Sequence, residues 1–333
     1  MLRFVASPET FTVEEIPAYA ATGEGTHLFL WVEKRGLTTL DAIADIARVL
    51  RVEARDVGYA GLKDRHALTR QWLSVAGVTA EQALEAPPDP DGRWKILQAV
   101  PHPHKLRLGH LRGNRFEVVL QGEGADVDAA WPDLQRAVDR VVLEGVPNRF
   151  GAQRFGAAGD NATVGLTLLR GERRERDRRK RRLLLSAIQS AVFNRVLALR
   201  AESGPLTRVR EGDVLQKTDT GGLFVTTDLG ADQPRVDRGE VVPTGPLPGG
   251  REIEPPVGSE ARAMEDQAIA AVGATREDFT RAGRELPGAR RAVIVRAQDL
   301  QLHRVDAGAR LTFTLPAGAY ATVLVDAILP PRV

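Results

Sequence analysis

Residues 26–34 alternate along the chain, yet apolar side chains fall on both parities: Leu28, Leu30 and Val32 on one, Phe29 and Trp31 on the other. Successive side chains of an extended strand point to opposite faces, so this pattern predicts a strand covered on both sides and therefore a layered fold. Thr38 or Thr39 is placed to cap a helix directly after it. Leu40, Ile43, Ala44, Ala47 and Leu50 recur at helical spacing and are expected to lie against that strand's sheet. A chain of 333 residues with 43% hydrophobic content can supply the layers, as one large or two medium cores.

Further along, residues 57–60 and 71–75 read as strands, which makes 61–69 a connection, with Gly61 permitting tight backbone geometry. Residues 115–121 alternate Phe116, Val118 and Leu120 as another strand. Residues 129–143 form an amphipathic helix with Pro132 in its first turn, where a missing N–H is tolerated. Composition shifts after Gly159: residues 170–182 hold nine basic and three acidic side chains and lead into a helix with Leu184, Ile188, Val192, Val196 and Leu199 on one face. That helix should stop near Gly204-Pro205. A hairpin follows around Gly221-Gly222, then a Pro/Gly-rich segment over 243–256, then two helices, the second opened by a Thr275/Asp278 capping box. Strands return at 292–295 and 310–315, and an apolar helix over 319–329 ends at Pro330-Pro331. Strands and helices alternate irregularly, the pattern of an α+β fold. We read residues 172–292 as an inserted domain, with the parent domain built from 1–171 and 293–333.

Several chemistries fall away at this level. No apolar run reaches bilayer length and the start lacks the apolar core of a signal peptide, so a soluble, unexported, cytoplasmic protein with no membrane partner is expected. The chain has no cysteine, which removes disulfides, thiol nucleophiles and thiolate metal sites. His102, His104 and His110 lie among Pro101 and Pro103 with no acidic or thiol ligand nearby, and read as structural or phosphate-facing rather than metal-binding. Phosphate loops, dinucleotide fingerprints and serine elbows are missing from the sequence. The formal charge is only +2, but the 46 basic residues are almost all arginine, whose planar fork suits phosphate.

The richest segment is Gly58-Tyr59-Ala60-Gly61-Leu62-Lys63-Asp64-Arg65-His66-Ala67-Leu68-Thr69-Arg70-Gln71-Trp72. Taken alone, an Asp between Lys63 and Arg65 is what a solvated turn carries. Read with Val146-Pro147-Asn148-Arg149-Phe150-Gly151-Ala152-Gln153-Arg154-Phe155-Gly156 and Leu315-Pro316-Ala317-Gly318-Ala319-Tyr320-Ala321-Thr322, the segment resembles the TruD family of tRNA pseudouridine synthases, and the resemblance spans nearly the whole chain.

The resemblance implies a pseudouridine-synthase-like catalytic domain with a mixed, mostly antiparallel sheet, an inserted α+β TRUD domain, and a cleft for tRNA. It implies isomerisation of uridine, at position 13 of tRNA, without cofactor, metal or obligatory protein partner. Asp64 falls on the family's catalytic aspartate, and a carboxylate ionised at neutral pH can add covalently or take a proton. Lys63 and Arg65 are expected to hold its pKa low, and Lys63 to contact substrate. Phe150, Asn148, Phe11 and Tyr320 match positions that line the uridine pocket, where an aromatic face offsets the cost of extruding a base. The chain departs from the family at Val5, where relatives carry a cation, and at Thr10, where they carry Asp. Arg3, two residues from Val5 and so on the same side of a strand, is the candidate substitute. Arg173, Arg174, Arg178, Arg179 and Lys180 are expected on the RNA backbone. A non-catalytic RNA-binding or RNA-folding protein using the same basic cleft is the alternative, and a metal-dependent RNA hydrolase the third reading.

Overall fold

A computed structural model describes residues 2–329. The terminal Pro330-Pro331 stop lies outside them. In chain order the elements begin β1 (Phe11–Pro17), β2 (His27–Arg35), α1 (Thr39–Leu50), β3 (Gly58–Tyr59), β4 (Leu68–Ala76), α2 (Ala80–Leu84), β5 (Trp94–His102), β6 (Leu111–Gln121) and α3 (Gly124–Glu144). They continue with β7 (Val146–Pro147), α4 (Asn161–Leu169), α5 (Arg178–Glu202), β8 (Val214–Lys217), β9 (Leu223–Val225), α6 (Leu229–Asp237), β10 (Val241–Leu247), α7 (Glu260–Ala271) and α8 (Arg276–Arg281). The last are β11 (Ala289–Ala292), β12 (Ile294–Val295), β13 (Gln298–Val305), β14 (Gly308–Pro316) and α9 (Ala321–Ile328). The chain divides into two compact units, one formed by residues up to Glu144 with those from Arg296 onward, the other by Gly145–Val295.

The first unit is built on a sheet ordered β13-β14-β6-β1-β4-β2-β5, with β3 paired to β4. Only the β1–β4 pairing is parallel, so the sheet is mixed and mostly antiparallel, as the resemblance implied. Cross-strand register assigns its faces. One row runs Phe313, Phe116, Val13, Thr69, Lys34, Trp94 across six strands. This is the core face: α1 packs Ala42, Ile43, Ile46 and Ala47 against Leu28, Leu30, Val32, Leu73 and Val75, while α3 lies on β13, β14 and α9. The neighbouring row on the opposite face runs Arg115, Glu14, Arg70, Glu33, Lys95, alternating in sign, with Arg70 bonded to Glu33 at 2.9 Å and Lys95 to Glu33 at 3.0 Å. Strand β2 is thus buried on both faces only in its first half, through Phe29, and turns a charged face outward at Glu33.

Other expectations shift for identifiable reasons. Thr38 caps α1 with a capping box to Asp41, but the buried stripe is Thr39, Ala42, Ile43, Ile46 and Ala47. Leu40 is 45% exposed and Ala44 is exposed, because the Thr39 hydroxyl bonds the buried Gln71 carboxamide and rotates that residue toward the sheet. Helix α3 starts at Gly124, so Pro132 sits inside it, on the exposed side, where water can serve the carbonyl its missing N–H leaves unpaired. The unpredicted strands β5 and β13 are the two sheet edges. A strand paired on one side tolerates Pro101 and the polar run of β13, so neither shows the apolar alternation of a central strand.

The second unit starts at Gly145 rather than near 172, because β7 pairs with β12 and α4 packs on α5. Its larger sheet runs β11-β10-β8-β9 and contains the expected hairpin as β8–β9. Pro243 and Pro246, read as part of an irregular segment, lie in strand β10. They fit because β10 pairs with β8 through Val241–Pro243 and with β11 through Thr244–Leu247, leaving a side free at each step. Helix α5 carries Leu184, Ile188, Val192, Val196 and Leu199 into the core, as its periodicity predicts. Among the described residues it is the one helix long and apolar enough to cross a membrane, and here its apolar body is core.

Helices α4 and α5 touch backbone to backbone at Gly165, where an added Cβ would lie 2.3 Å from the Leu184 carbonyl oxygen. Helix propensity alone favours alanine by about 1 kcal/mol, but overpacking against a rigid carbonyl costs about 1–3 kcal/mol. Gly165→Ala should therefore lower the urea midpoint. Gly124→Ala, with nothing within 4 Å of the new methyl, should leave it unchanged or raise it. Equal midpoints for the two variants would disprove the close approach.

Candidate active site

Asp64 lies on the connection from β3 to β4 in the first unit. The preceding strand requires Gly58, since a Cβ there would stand 2.4 Å from both Leu106 O and Ser74 Oγ. Gly61 has no such need: its Cβ would meet nothing nearer than Lys63 Nζ at 3.7 Å. Hydrogen bonds, rather than a tight glycine, hold the connection. The Lys63 N–H donates to Thr39 Oγ1 at 2.9 Å, Thr39 Oγ1 donates to Gln71 Oε1 at 2.9 Å, and Gln71 Nε2 donates to Gly61 O at 3.2 Å. Thr39 and Gln71 are 2% and 1% exposed, so these bonds form away from water, where leaving one partner unmatched costs about 1–3 kcal/mol.

Burial then sorts the side chains: Lys63 turns inward, Leu62 and Asp64 outward. Lys63 Nζ donates to Glu15 Oε2 at 2.5 Å, and Glu15 Oε1 accepts the Trp72 N–H at 3.2 Å. Burial pushes the Glu15 carboxyl above its ordinary value, against the pull of Lys63. Lys63 is therefore an internal anchor and not the substrate contact expected of it. Arg65 is likewise turned away, its Nε on Gly36 O at 3.3 Å. Neither flanking base bonds the Asp64 carboxylate, which is exposed and accepts one hydrogen bond among the described residues, from the His66 N–H at 2.8 Å.

A second buried lysine, missed in the sequence, sits beneath this turn. Lys34 is 1% exposed and its Nζ donates to Leu37 O at 2.7 Å and to the Asp64 carbonyl oxygen at 2.9 Å. Desolvation pulls its ammonium down to about 8, with Asp64 acting in the opposite sense. Its signal was present: position 34 shares the parity of Leu28, Leu30 and Val32, so a charge stood on the core side of a strand.

The remaining residues of the first unit fall as follows. Phe11 is 5% exposed and packs between Phe4, at 5.5 Å, and Phe116, at 6.1 Å, so it is a core ring rather than an open stacking platform. Arg3 is exposed and joined through its backbone to Gln121; it makes no ion pair with Asp64. Tyr320 is half-buried at the start of α9, its carbonyl accepting the Val323 N–H at 3.1 Å. His102 is packed against Phe29 and Tyr19, and Tyr19 Oη lies 2.7 Å from His110 Nδ1.

In the second unit Asn148 and Phe150 are joined by a residue the sequence did not flag. Arg291 donates from Nε to Asn148 O at 3.0 Å and from Nη2 to Asn148 Oδ1 at 2.5 Å, while its Cζ stands 4.2 Å from the centre of the Phe150 ring. Asn148 Nδ2 donates to Ala292 O at 3.0 Å, and Phe150 meets Phe193 edge-on at 5.7 Å. Arg291 gave no local signal because Asn148 and Phe150 lie more than 140 residues away from it.

The basic run is exposed apart from Glu175 and Arg181, which are half-buried. Asp177 caps α5 by accepting the Arg179 and Lys180 N–H groups, Lys180 pairs with Glu175 at 3.3 Å, and Arg181 grips Glu285 at 2.7 and 2.8 Å. Arg173, Arg174, Arg178 and Arg179 have no carboxylate partner among the described residues. Arg178 and Arg179 stand in the first turn of α5, where cations oppose the helix macrodipole.

The TruD family model, tRNA pseudouridine synthase D, matches residues 2–176 and 175–328. A tRNA pseudouridine synthase D of Anaeromyxobacter dehalogenans (strain 2CP-C) is 46% identical, covering 97% of this chain and 93% of the relative. One of Thermus thermophilus is 39% identical, covering 97% of this chain and 87% of the relative. A solved chain from Methanosarcina mazei, described as a putative tRNA pseudouridine synthase D (TruD), shares the fold, with a TM-score of 0.73 at 23% identity over 97% of this chain and 92% of that one. By the family match and by relatives this similar over nearly their full length, this chain belongs to the TruD family of tRNA pseudouridine synthases.

Proposed function

We propose that the protein isomerises uridine to pseudouridine at position 13 of tRNA, with Asp64 as the reacting group and no cofactor. The observation that carries this reading is the Asp64 carboxylate itself, exposed on a turn whose main chain is pinned from below by Lys34 and, through Lys63, by Thr39. The reaction breaks the bond from N1 of uracil to C1′ of ribose, turns the base, and joins C5 to C1′. The C5 proton is lost and N1 ends protonated, so product and substrate are isomers and no oxidant or energy source enters. A carboxylate is suited to two steps: addition to C1′ while the base is detached, and removal of the C5 proton. Family membership supports tRNA as the substrate class, and the unpaired arginines ahead of and within the first turn of α5 supply cations for its phosphates.

Asn148, Phe150 and Tyr320 are the proposed RNA contacts. Stacking of a base on Phe150 or on the guanidinium of Arg291 above it supplies roughly 1–3 kcal/mol. Within the first unit Phe11 acts as a buried support for β1, and Arg3 is an exposed cation whose replacement by alanine should reduce turnover if it acts on RNA.

Asp64→Asn should abolish pseudouridine formation, by at least about a thousandfold, while leaving tRNA affinity within a few-fold. Carbodiimide-based mapping of tRNA incubated with each form reads both reaction and position. A parent protein that binds tRNA without forming pseudouridine would favour the alternative of an RNA-binding or RNA-folding protein. Affinity for tRNA should also fall with rising salt, with a logarithmic slope of roughly 0.7–0.9 per neutralised phosphate. Replacing Arg173, Arg174, Arg178 and Arg179 by glutamine should flatten that slope; an unaltered slope would remove the run from the RNA interface.

A further inference from the structure

The first unit buries two lysines beside one turn, and they differ in one respect. Lys63 meets a carboxylate, Glu15; Lys34 meets none, and no ion pair to it occurs among the described residues. Lys34 occupies the row of Phe116, Val13, Thr69 and Trp94, where a Leu or Met would fill the same volume without a desolvation cost. Its two bonded acceptors are main-chain carbonyls, Leu37 O before α1 and Asp64 O. A cation held in the core for two carbonyl bonds is a poor device for stability. It is a good one for fixing the backbone of a particular residue and for setting a positive charge behind it.

We infer that Lys34 is a positioning residue for Asp64: its ammonium, bonded to the Asp64 carbonyl oxygen and in no ion pair among the described residues, pins the main chain of the turn from the core side and sets a buried positive charge beside it. The inference rests on reading Asp64 as the reacting group. The charged groups around the ammonium are Asp64 and Lys63 from the turn and Asp41 from the first turn of α1; the cross-strand neighbours Thr69 and Trp94 are neutral. A neutral amine keeps two N–H groups, so it can still reach both carbonyls but no longer carries charge. Pinning and charge are therefore separable. Because burial brings the ammonium down to about 8, the charge is lost within the range of an ordinary assay.

The test is turnover of the full-length protein on a tRNA transcript, followed by carbodiimide mapping across about pH 6 to 9.5, for the parent, Lys34→Met, Lys34→Gln and Asp64→Asn. In the parent, kcat should fall as pH rises through about 8. Lys34→Met should lose roughly tenfold to a hundredfold in kcat at neutral pH, keep its KM for tRNA within about threefold, and show no alkaline limb in that range. Lys34→Gln, which can donate but carries no charge, should lie between the two and also lack the limb. A folded Lys34→Met with the parent's kcat, or with the parent's alkaline limb, overturns the inference. Should neither variant fold, a parent profile flat through pH 8 to 9 overturns it alone. Activity retained by Asp64→Asn would instead sink the reading of Asp64, an outcome distinct from an inactive Asp64→Asn beside an unimpaired Lys34→Met.

Discussion

The turn that presents Asp64 depends on a set of polar bonds made inside an apolar sheet. Glu15, Lys34, Thr39, Lys63 and Gln71 are each less than a tenth exposed; Glu15, Lys63, Thr39 and Gln71 bond to one another in series, and Lys34 bonds the Asp64 carbonyl of the turn itself. Such a network is close to all-or-none. Removing one member of a buried pair such as Lys63–Glu15 strands a charge at a cost of about 3–5 kcal/mol, while the intact set fixes a single geometry. Rigidity of this kind is what an exposed carboxylate needs if it is to meet a substrate atom without first paying to order its own loop.

Topology explains why four separate elements can contribute. The parallel pairing of β1 with β4 forces the chain to leave β1, run through β2 and α1, and return beside its starting strand. That excursion brings Glu15 on β1, Lys34 on β2, the first residue of α1 and Gln71 on β4 around the start of β4, where the turn attaches. The face of the sheet matters equally. Thr69, Lys34 and Val13 share the core face, and on the other face Glu14, Arg70, Glu33 and Lys95 pair in series.

The second unit solves a different problem with one helix. From Leu184 onward α5 is a core helix, and before it the same helix is a basic, exposed head capped by Asp177. Arg291 plays an organising role there: it ties Asn148 to the Phe150 ring, so the polar and aromatic residues of that loop act as a unit and not as two independent contacts.

How much of this was legible follows from how local each signal is. The capped helix after β2, the core stripe of α5, the β8–β9 hairpin and the Thr275 capping box were readable because each is set by residues within a few positions of one another. The edge strands β5 and β13 were not, because a strand bonded on one side need not alternate. The sequence alone determined which residues carry chemistry-bearing groups, the family motifs around Asp64, Asn148 and Tyr320, and the class of fold. Only the tertiary structure decided that Lys63 turns inward to Glu15, that Lys34 holds the Asp64 carbonyl, and that Arg291 covers Phe150, since burial and pairing are properties of distant residues brought together and no spacing along the chain encodes them.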